Sequence, residues 1–540
     1  MTKFLRALHS KIVYAFSLLV ALGCLLGSQT AMAQGNIPGF FNGLADPVSA
    51  NIEQSALAIQ RTCGELIQTG FVSTTGTSGG NELWRRCNEL VATADSIWDA
   101  KNGGLPGAGG STSGRTLGYT ADEDMLAAFQ QVNGEETLSQ SSLAQSGTYE
   151  QFSTIGARLT ALRGASSASV TSVAANGTDF MYGSGGGAAA DDAPFSPWGW
   201  FVRGTYASGD RDPSDPNGFI AAEDGFDFDQ YGLTFGVDHS SGPSVWGIAV
   251  SYTSYDLEMQ TLGAAAGAGS TTNRVNKSTI ESDSTTAMVY FDYTSDSNVY
   301  FSVLAGFGGQ SFDLARSFVY VPTCTTTCGA DVVTQNRTLV GAPGGDSQAG
   351  TFSVGQMIQS GSWVIDPHLG LTFDNVSIDR FAESDTGNES GQGLQDISAM
   401  NLAFDKQDIK SFRATLGVQI SKNVNTSFGS VRPTFSVDYH HEFEDDPREL
   451  RVKYQLEDTL INAAVVDPAT QTNDFAKGFN CTVSCFSLFS EAPDSDFFVV
   501  GAGVAASYRS GLQAFLMLEG LLGYDDLSTY ALTIGLRGQF

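Results

Sequence analysis

From residue 198 onward, apolar and polar side chains alternate with a period of two, which is the pattern of a β-strand with two different faces. In the segment 226–238, for example, Tyr231, Leu233 and Phe235 alternate with small or polar residues. The alternation predicts twelve strands, at approximately 198–208, 226–238, 244–256, 284–294, 298–316, 350–359, 362–381, 409–421, 431–443, 496–508, 511–524 and 529–540.

The connections between these strands alternate in length. Those after odd-numbered strands are mostly long, at 209–225, 257–283, 317–349, 382–408 and 444–495, whereas those after even-numbered strands are short. Long loops on one side and tight turns on the other are typical of outer-membrane barrels. A water-soluble β-sandwich also alternates, but its strands usually have about five or six residues. We therefore predict an all-β transmembrane fold, a 12-stranded antiparallel outer-membrane β-barrel at 197–540, preceded by a small α-helical segment.

Upstream of the strands, apolar residues recur at spacings of three and four, as on one face of a helix. Asp46 and Pro47 predict an N-cap and a first-turn proline for the first helix. Thr120 with Glu123 matches a capping box and predicts a third helix through about Val132. The first two apolar stripes are Ile52, Ala56, Ile59, Cys63 and Leu66, then Leu83, Cys87, Leu90, Ala94 and Ile97.

A fourth predicted helix lies just before the barrel. It carries Phe152, Ile155 and Leu159 on one face, with Arg158 and Arg163 beside it. The chain then becomes small and polar, which is the composition of a linker. We predict a helical segment at 34–165 and a linker or luminal segment at 166–196.

Residues 1–33 have the three parts of a secretory signal peptide. Lys3, Arg6 and Lys11 form a basic region, an apolar stretch follows, and Ala31-Met32-Ala33 supplies the small residues of a cleavage site. A membrane anchor is the less favoured alternative because the apolar run is short. The mature chain is therefore expected to be exported from the cytoplasm.

The six cysteines that follow the predicted signal peptide form three local groups. An even number of cysteines in an exported chain favours disulfides, and six cysteines allow 15 connectivities. The grouping favours Cys63 with Cys87, where the bond would join two helices across their apolar stripes. The same reasoning favours Cys324 with Cys328 and Cys481 with Cys485, and since no histidine lies near these two pairs, we predict no metal there.

The charge of the chain narrows the range of partners. Its 540 residues include 28 Lys and Arg against 58 Asp and Glu, which gives a net charge of −30 and argues against a nucleic-acid partner. Asp210, Asp212 and Asp215 are a weak calcium candidate, since the segment lacks the bidentate glutamate of an EF-hand. The segment before Trp198 has no histidine after the signal peptide, which argues against a hydrolase. We predict no enzymatic activity and no cofactor.

The C-terminal part of the chain, about 340 residues, resembles the autotransporter β-domain of type V secretion. Each motif is weak by itself, but together the motifs occur in the order and spacing of that family. They are Trp198-Gly199-Trp200, Tyr231-Gly232, Gly236-Val237-Asp238, Pro367, Leu371, Phe381-Ala382-Glu383, Leu416-Gly417, Pro433, Tyr439-His440-His441-Glu442-Phe443 and Gly535-Leu536-Arg537-Gly538-Gln539-Phe540. Residues 128–135 and 158–163 resemble the segment that often precedes this domain.

The resemblance implies a barrel with a helix in its lumen and a passenger carried to the cell surface. It also implies that Phe540 belongs to a C-terminal signal read by the outer-membrane assembly machinery, with periplasmic chaperones and outer-membrane lipid as further partners. Two features depart from the family. The passenger is short and helical, and Asn176 is followed by Gly177 where some members have an Asn-Asn cleavage pair. We therefore expect the passenger to stay attached, with a ligand that the sequence leaves unknown.

The strand faces also predict charged contacts inside the barrel. A luminal helix bearing Arg158 and Arg163 could be held by Asp438 and Glu519, or the inward charges could simply line hydrated space. The functional prediction is a barrel that anchors a small helical passenger at the surface, and the alternative is a plugged or narrow pore. The inward charged or titratable residues are Arg203, Asp438, His440 and Glu519.

Overall fold

A computed structural model describes residues 36–68, 79–103, 115–141, 143–144, 151–153, 155–156, 159, 197–212, 223–259, 278–320, 323–324, 335–385, 400–454, 484–508 and 512–539. Several predictions concern residues outside these ranges. They are the signal peptide at 1–33, the linker at 166–196, and the roles of Arg158, Arg163, Asp215, Cys328, Cys481 and Phe540.

Twelve long antiparallel strands form the main sheet, and they occupy the segments that the alternation predicts. We label them β1 (Trp198–Arg211), β2 (Phe226–Ser241), β3 (Ser244–Met259), β4 (Thr279–Thr294), β5 (Val299–Tyr320), β6 (Gly344–Gln356), β7 (Trp363–Ile378), β8 (Gln407–Lys422), β9 (Gly429–Glu442), β10 (Asp496–Tyr508), β11 (Gln513–Leu522) and β12 (Leu527–Gln539).

Each strand pairs with its neighbours in sequence, and the sheet closes on itself. Gly199 in β1 pairs with Gln539 in β12 and, on its other side, with Asp238 in β2. The predicted twelve-stranded barrel is therefore confirmed. The start of β1 and the end of β12 both lie at the end of the barrel that has the short turns. The opposite end, where the long loops emerge, is called the mouth below.

Several strands continue further toward the mouth than the alternation predicts. β4 begins at Thr279 and not at 284, because backbone pairing continues where the outward side chains become acidic. Asp229, Asp256, Glu281 and Asp313 are direct register partners across β2 to β5 and form one acidic row on the outer face. β7, in contrast, ends at Ile378, and the predicted extension to 381 is wrong.

The N-terminal part of the chain is helical, as predicted. Its helices are α1 (Ile37–Asn42), α2 (Ala50–Gln68), α3 (Gly79–Lys101) and α4 (Asp122–Asn133); residues 136–141, 143–144, 151–153, 155–156 and 159 are helical as well. No helix in the described part of the chain combines the length and the apolar character needed to cross a membrane.

Two predicted helix starts are wrong. α2 begins at Ala50, beyond Asp46 and Pro47, and the Ser49 hydroxyl accepts a hydrogen bond from the backbone N–H of Ile52 at 3.3 Å. Ser49 thus supplies the local cap that Asp46 was expected to give. α4 begins after Ala121, and no side chain caps it, so Thr120 does not form the predicted capping box. Three acids in its first turn, beginning at Asp122, stabilise this end through the helix dipole.

The long loops build a second sheet over the mouth. Its four strands are Phe381–Ala382, Leu402–Phe404, Glu449–Tyr454 and Cys485–Phe489, in that spatial order. We call this the mouth sheet. Shorter strands complete the structure: Arg115–Thr116 pairs with Thr323–Cys324, Gln335–Gly341 with β5 and with Ser384–Asp385, Ile358–Ser360 with β7, and Val424–Thr426 with β9.

Candidate functional site: the covered mouth and the lumen

The helices at 36–144, called the cap below, share one hydrophobic core with the mouth. Phe129 and Val132 of α4 belong to the same buried cluster as Leu257 of β3 and Leu314 of β5. The cluster therefore continues without a break from the cap into the barrel. Its members from the mouth sheet are Phe381, Leu402, Phe404, Leu450, Val452, Tyr454, Phe486 and Leu488.

A glycine at the end of α4 permits this close packing. Gly134 has a φ of 76°, a left-handed conformation that favours glycine, and it terminates the helix. A Cβ atom at this position would lie 2.7 Å from Cδ1 of Leu402 in the mouth sheet. Both the helix ending and the contact between cap and mouth sheet depend on the missing side chain.

Polar side chains of α2 cover an edge of the mouth sheet. The Asn51 amide donates to the carbonyl of Phe489 at 3.0 Å and accepts from the Phe489 N–H at 2.7 Å. Further along the helix, Arg61 donates to the carbonyl of Cys485 at 2.9 Å. These bonds replace those of a further strand, so the edge is closed by a helix.

A buried ion pair ties the barrel, the mouth sheet and the cap together. Arg316 of β5 donates to both carboxylate oxygens of Glu383, at 2.8 and 2.6 Å, and the two side chains are only 4% and 5% exposed. Arg316 also donates to the carbonyl of Gln131 in α4 at 3.3 Å. Glu383 in turn accepts from the Leu402 N–H at 2.8 Å. One guanidinium thus contacts all three parts.

The helical residues 151–153, 155–156 and 159, called the luminal helix, lie inside the barrel. Phe152, Ile155 and Leu159 are buried against inward-facing residues of the barrel wall. The Phe152 ring packs over Gly306 of β5, where a Cβ atom would lie 2.8 Å from the ring. The apolar wall consists of Phe201, Ala249, Met288, Tyr290, Leu304 and Ala349.

Hydrogen bonds show the direction in which the luminal helix runs. Gln151 donates to Thr253 at 2.5 Å and to Ser284 at 3.3 Å, and these two residues pair in register nearer the mouth than Ala249 and Met288 do. The chain therefore descends from the cap at the mouth toward the short-turn end, where β1 begins.

The luminal wall opposite the apolar one is charged. His368 Nε2 of β7 lies 3.0 Å from Asp438 Oδ1 of β9. The pair spans Gly417, the register partner of both residues, which has no side chain to separate them. The inward orientation predicted for Asp438 is confirmed, and its described ion-pair partner is His368.

Arg203 also faces the lumen, as predicted. Its guanidinium lies 4.3 Å from the centre of the Phe515 ring, above Gly535, which pairs with both residues. Glu519 and His440 line the same cavity as Arg203. The predicted plug contacts from Arg158 and Arg163 to this wall stay a prediction, because both arginines lie outside the described residues.

Two cavities follow the charged wall. One, of about 350 Å³, is lined by Arg203, His368, Asp438 and Arg537 toward the short-turn end. The other, of about 240 Å³, lies nearer the mouth. Ser153 of the luminal helix and Glu519 line both. The luminal helix thus packs on one wall and leaves space beside the other.

The structure contains the predicted bond between Cys63 and Cys87, whose Cα atoms are 5.9 Å apart and which joins α2 to α3. Cys485 is disulfide-bonded as well. The pairing of Cys324 with Cys328, and that of Cys485 with Cys481, rest on residues outside the described ranges and stay predictions.

The calcium candidate also stays a prediction. Asp210 lies in β1, where it pairs in register with Ser528 and Asp227, and Asp212 follows the strand. The third candidate ligand, Asp215, is outside the described residues. Within the described ranges, no group of three or more His, Cys, Asp or Glu side chains is placed to hold a metal ion.

Sequence reasoning missed the apolar luminal wall. Met288, Tyr290 and Leu304 occupy inward positions, where a water-filled barrel would carry polar residues. A signal was present, because β4 and β5 are apolar on both faces in this region. A two-faced apolar strand in a barrel indicates that something packs inside it.

Replacing Ile155 with Asp is expected to release the luminal helix. Ile155 is 0% exposed, and an unpaired carboxylate against the apolar wall is costly. We expect conductance across planar bilayers to rise several-fold over that of the unaltered protein. Gly156→Asp is the matched control, since a side chain there would meet no atom within 4 Å and the glycine lines the larger cavity. If the two variants had equal conductance, the packing of Ile155 against the apolar wall would not be what keeps the barrel closed to ions.

Comparison with known proteins agrees with the barrel. A family model of the autotransporter β-domain matches residues 200–468. The solved translocator domain of the autotransporter NalP from Neisseria meningitidis is 12% identical, with a TM-score of 0.42, and the match covers 73% of this chain and 98% of that one. No curated protein sequence matches the chain.

Two other solved structures illustrate the range of similar barrels. The transport unit of the autotransporter AIDA-I from Escherichia coli is 11% identical, with a TM-score of 0.35 and coverage of 65% of this chain and 92% of that one. The toluene transporter TbuX from Ralstonia pickettii is 10% identical, with a TM-score of 0.36 and coverage of 64% and 90%. With its closed twelve-stranded barrel and the family match over most of it, this chain is an outer-membrane protein of the autotransporter β-domain family.

Proposed function

We propose that the barrel carries the helical part of the chain across the outer membrane and then retains the cap at the cell surface over its own mouth, while the luminal helix, which the predicted passenger 34–165 includes, stays inside the barrel. The luminal helix is the observation that carries this proposal. The cap lies at the mouth, β1 begins at the short-turn end, and the luminal helix, which lies between them in the sequence, is inside the barrel. Long loops face the outside in barrels of this kind, which supports a position of the cap outside the cell.

The contacts of the cap support retention over release. The cap buries apolar side chains against the mouth sheet, and α2 satisfies the backbone groups of its edge strand. A passenger that leaves its barrel would expose both surfaces to water. The absence of an Asn-Asn pair at Asn176 supports the same conclusion.

The sidedness is tested by an epitope inserted after Gly103, in the exposed turn that follows α3. The proposal expects antibody binding to intact cells. The control is the same epitope after Gly361, in the exposed turn between Ile358–Ser360 and β7, which should bind only after the outer membrane is permeabilised. If the Gly103 epitope also required permeabilisation, the cap would lie in the periplasm and the proposal would be wrong.

A narrow pore for small solutes is the second candidate, and the two cavities beside the charged wall favour it. Together they extend from Arg211 and Asp494 near the mouth to Ser507 and Arg537 near the short-turn end. A steady conductance of the unaltered protein in planar bilayers would support this candidate. A sealed barrel that opens only in the Ile155→Asp variant would exclude it.

A further inference from the structure

A buried carboxyl group of the cap and a half-buried carboxyl group of the barrel meet where the cap contacts the barrel. Glu135 follows α4 and is 1% exposed, and Asp224 lies two residues before β2. The Gln130 amide nitrogen donates to Glu135 Oε1 at 2.8 Å and to Asp224 Oδ1 at 2.5 Å. Asn133 donates to the other oxygen of Glu135 at 3.0 Å. One amide thus bridges an acid of the cap and an acid of the barrel.

The basic side chains around this junction do not neutralise the negative charges of Glu135 and Asp224. In the described part of the chain, neither Glu135 nor Asp224 forms an ion pair with a basic side chain. Each flanking acid has its own partner. Glu136 accepts a hydrogen bond from Ser278 and faces Arg316, which already forms an ion pair with Glu383. Glu223 forms an ion pair with Arg211 at 3.0 Å and faces Arg448 and Glu491.

Burial together with this crowding favours the protonated forms. Burial, then the neighbouring Glu136, raises the pKa of Asp224 to about 8. Burial, then the neighbouring Asp224, also raises the pKa of Glu135 well above its usual range. When the cap is undocked and both groups are in water, each should titrate near pH 4. Docking therefore retains protons that the separated surfaces would lose at neutral pH.

We propose that the junction of Glu135, Gln130 and Asp224 is a pH-sensitive latch, which holds the cap most tightly in acid and loosens it as the environment becomes alkaline. The sign follows from linkage. The docked state binds more protons than the undocked state between about pH 4 and pH 8. Docking is thus strongest below this window and weakens through it, by at most about tenfold per pH unit for each proton concerned.

The experiment follows the amide groups that the cap covers. The N–H of Phe489 donates to Asn51 and that of Ser487 to Gln54, so both should exchange with solvent when the cap lifts. Hydrogen exchange of the full chain in detergent is measured from pH 5 to pH 9 and corrected for intrinsic exchange rates. We expect the protection of these amides to fall by about tenfold or more between pH 5 and pH 8.

Variants separate the latch from general effects of pH. Glu135→Gln/Asp224→Asn keeps the shape of the junction, and its protection should lose most of its pH dependence, with the remainder coming from Glu136, whose pKa burial also raises. Asp95→Asn is the matched control, since Asp95 is a buried cap acid whose pKa is also raised, by burial and then by Asp99, and both groups that influence this pKa, Asp99 and Asn36, belong to the cap. It should keep the pH dependence of the unaltered protein.

Two outcomes would overturn the latch. One is a protection that does not change between pH 5 and pH 8 in the unaltered protein. The other is an unchanged slope in the double variant or, should that variant fail to fold, in Asp224→Asn alone. Because the measurement uses purified protein, its result is independent of which side of the membrane the cap occupies in cells.

Discussion

Replacement of Glu383 with Gln is expected to destabilise the docked cap and the mouth sheet by about 3–5 kcal/mol, because it leaves the Arg316 charge buried without its counter-ion. The substitution preserves the shape of the side chain, so the loss of stability measures the effect of removing its charge. It also weakens the acceptor for the Leu402 N–H in the mouth sheet. Denaturant unfolding in detergent, followed by protease resistance of the cap, measures the change.

Two controls define the interpretation of this variant. Arg316→Met/Glu383→Met removes both charges and should recover most of the lost stability, since an apolar pair needs no counter-ion. Asp408→Asn breaks the pair of Asp408 with Lys406, whose side chains are 55% and 45% exposed, and should have little effect. If Glu383→Gln cost no more than Asp408→Asn, the buried pair would not hold the mouth together.

Replacement of Phe129 with Ala is expected to cost about 3–5 kcal/mol of cap stability. The ring is 0% exposed and lies at the centre of the shared core, 6.3 Å from the Phe40 ring and 6.0 Å from the Phe41 ring. Its loss leaves a cavity between the cap and the mouth that the barrel strands, fixed by their own hydrogen bonds, cannot close. Cap unfolding should therefore occur at lower denaturant concentration while the barrel remains folded.

Phe41→Ala provides the comparison for this variant. Phe41 contacts the same ring but is only partly buried, so its removal should cost distinctly less. A loss of barrel folding in Phe129→Ala would show that the cap is needed for assembly. An equal loss in both variants would show that the shared core is not centred on Phe129.

The barrel was predictable because each strand has a local signature. Alternation in a segment such as 226–238 follows from one face meeting lipid and the other meeting the lumen, and this pattern needs no knowledge of the rest of the chain. The covered mouth was not predictable in this way. Leu257 and Leu314 lie at inward positions near the mouth, and only the folded chain shows that they meet the cap.

The mouth sheet illustrates the same limit. Leu402–Phe404 is too short to carry a periodic signal, and one of its two partners, Glu449–Tyr454, lies in another loop. The predicted start of α2 was wrong for a different reason. Asp46 and Pro47 are residues that favour helix starts, but Ser49 lies closer to the first apolar residue of the stripe, Ile52, and provides the observed cap. Local preferences compete, and packing decides between them.

The acidic row on β2 to β5 marks the level at which the outer face of the barrel passes from lipid to water. Carboxylates such as Asp256 and Glu281 cannot remain charged in hydrocarbon, so the apolar layer of the bilayer must end below them. β5 continues from Asp313 to Tyr320, which at about 3.3 Å per residue is roughly 20 Å of strand above that level. The core that the cap shares with the barrel begins at Leu257 and Leu314, beside the acidic row, so it is enclosed by a collar of strands that stands in water and not in lipid.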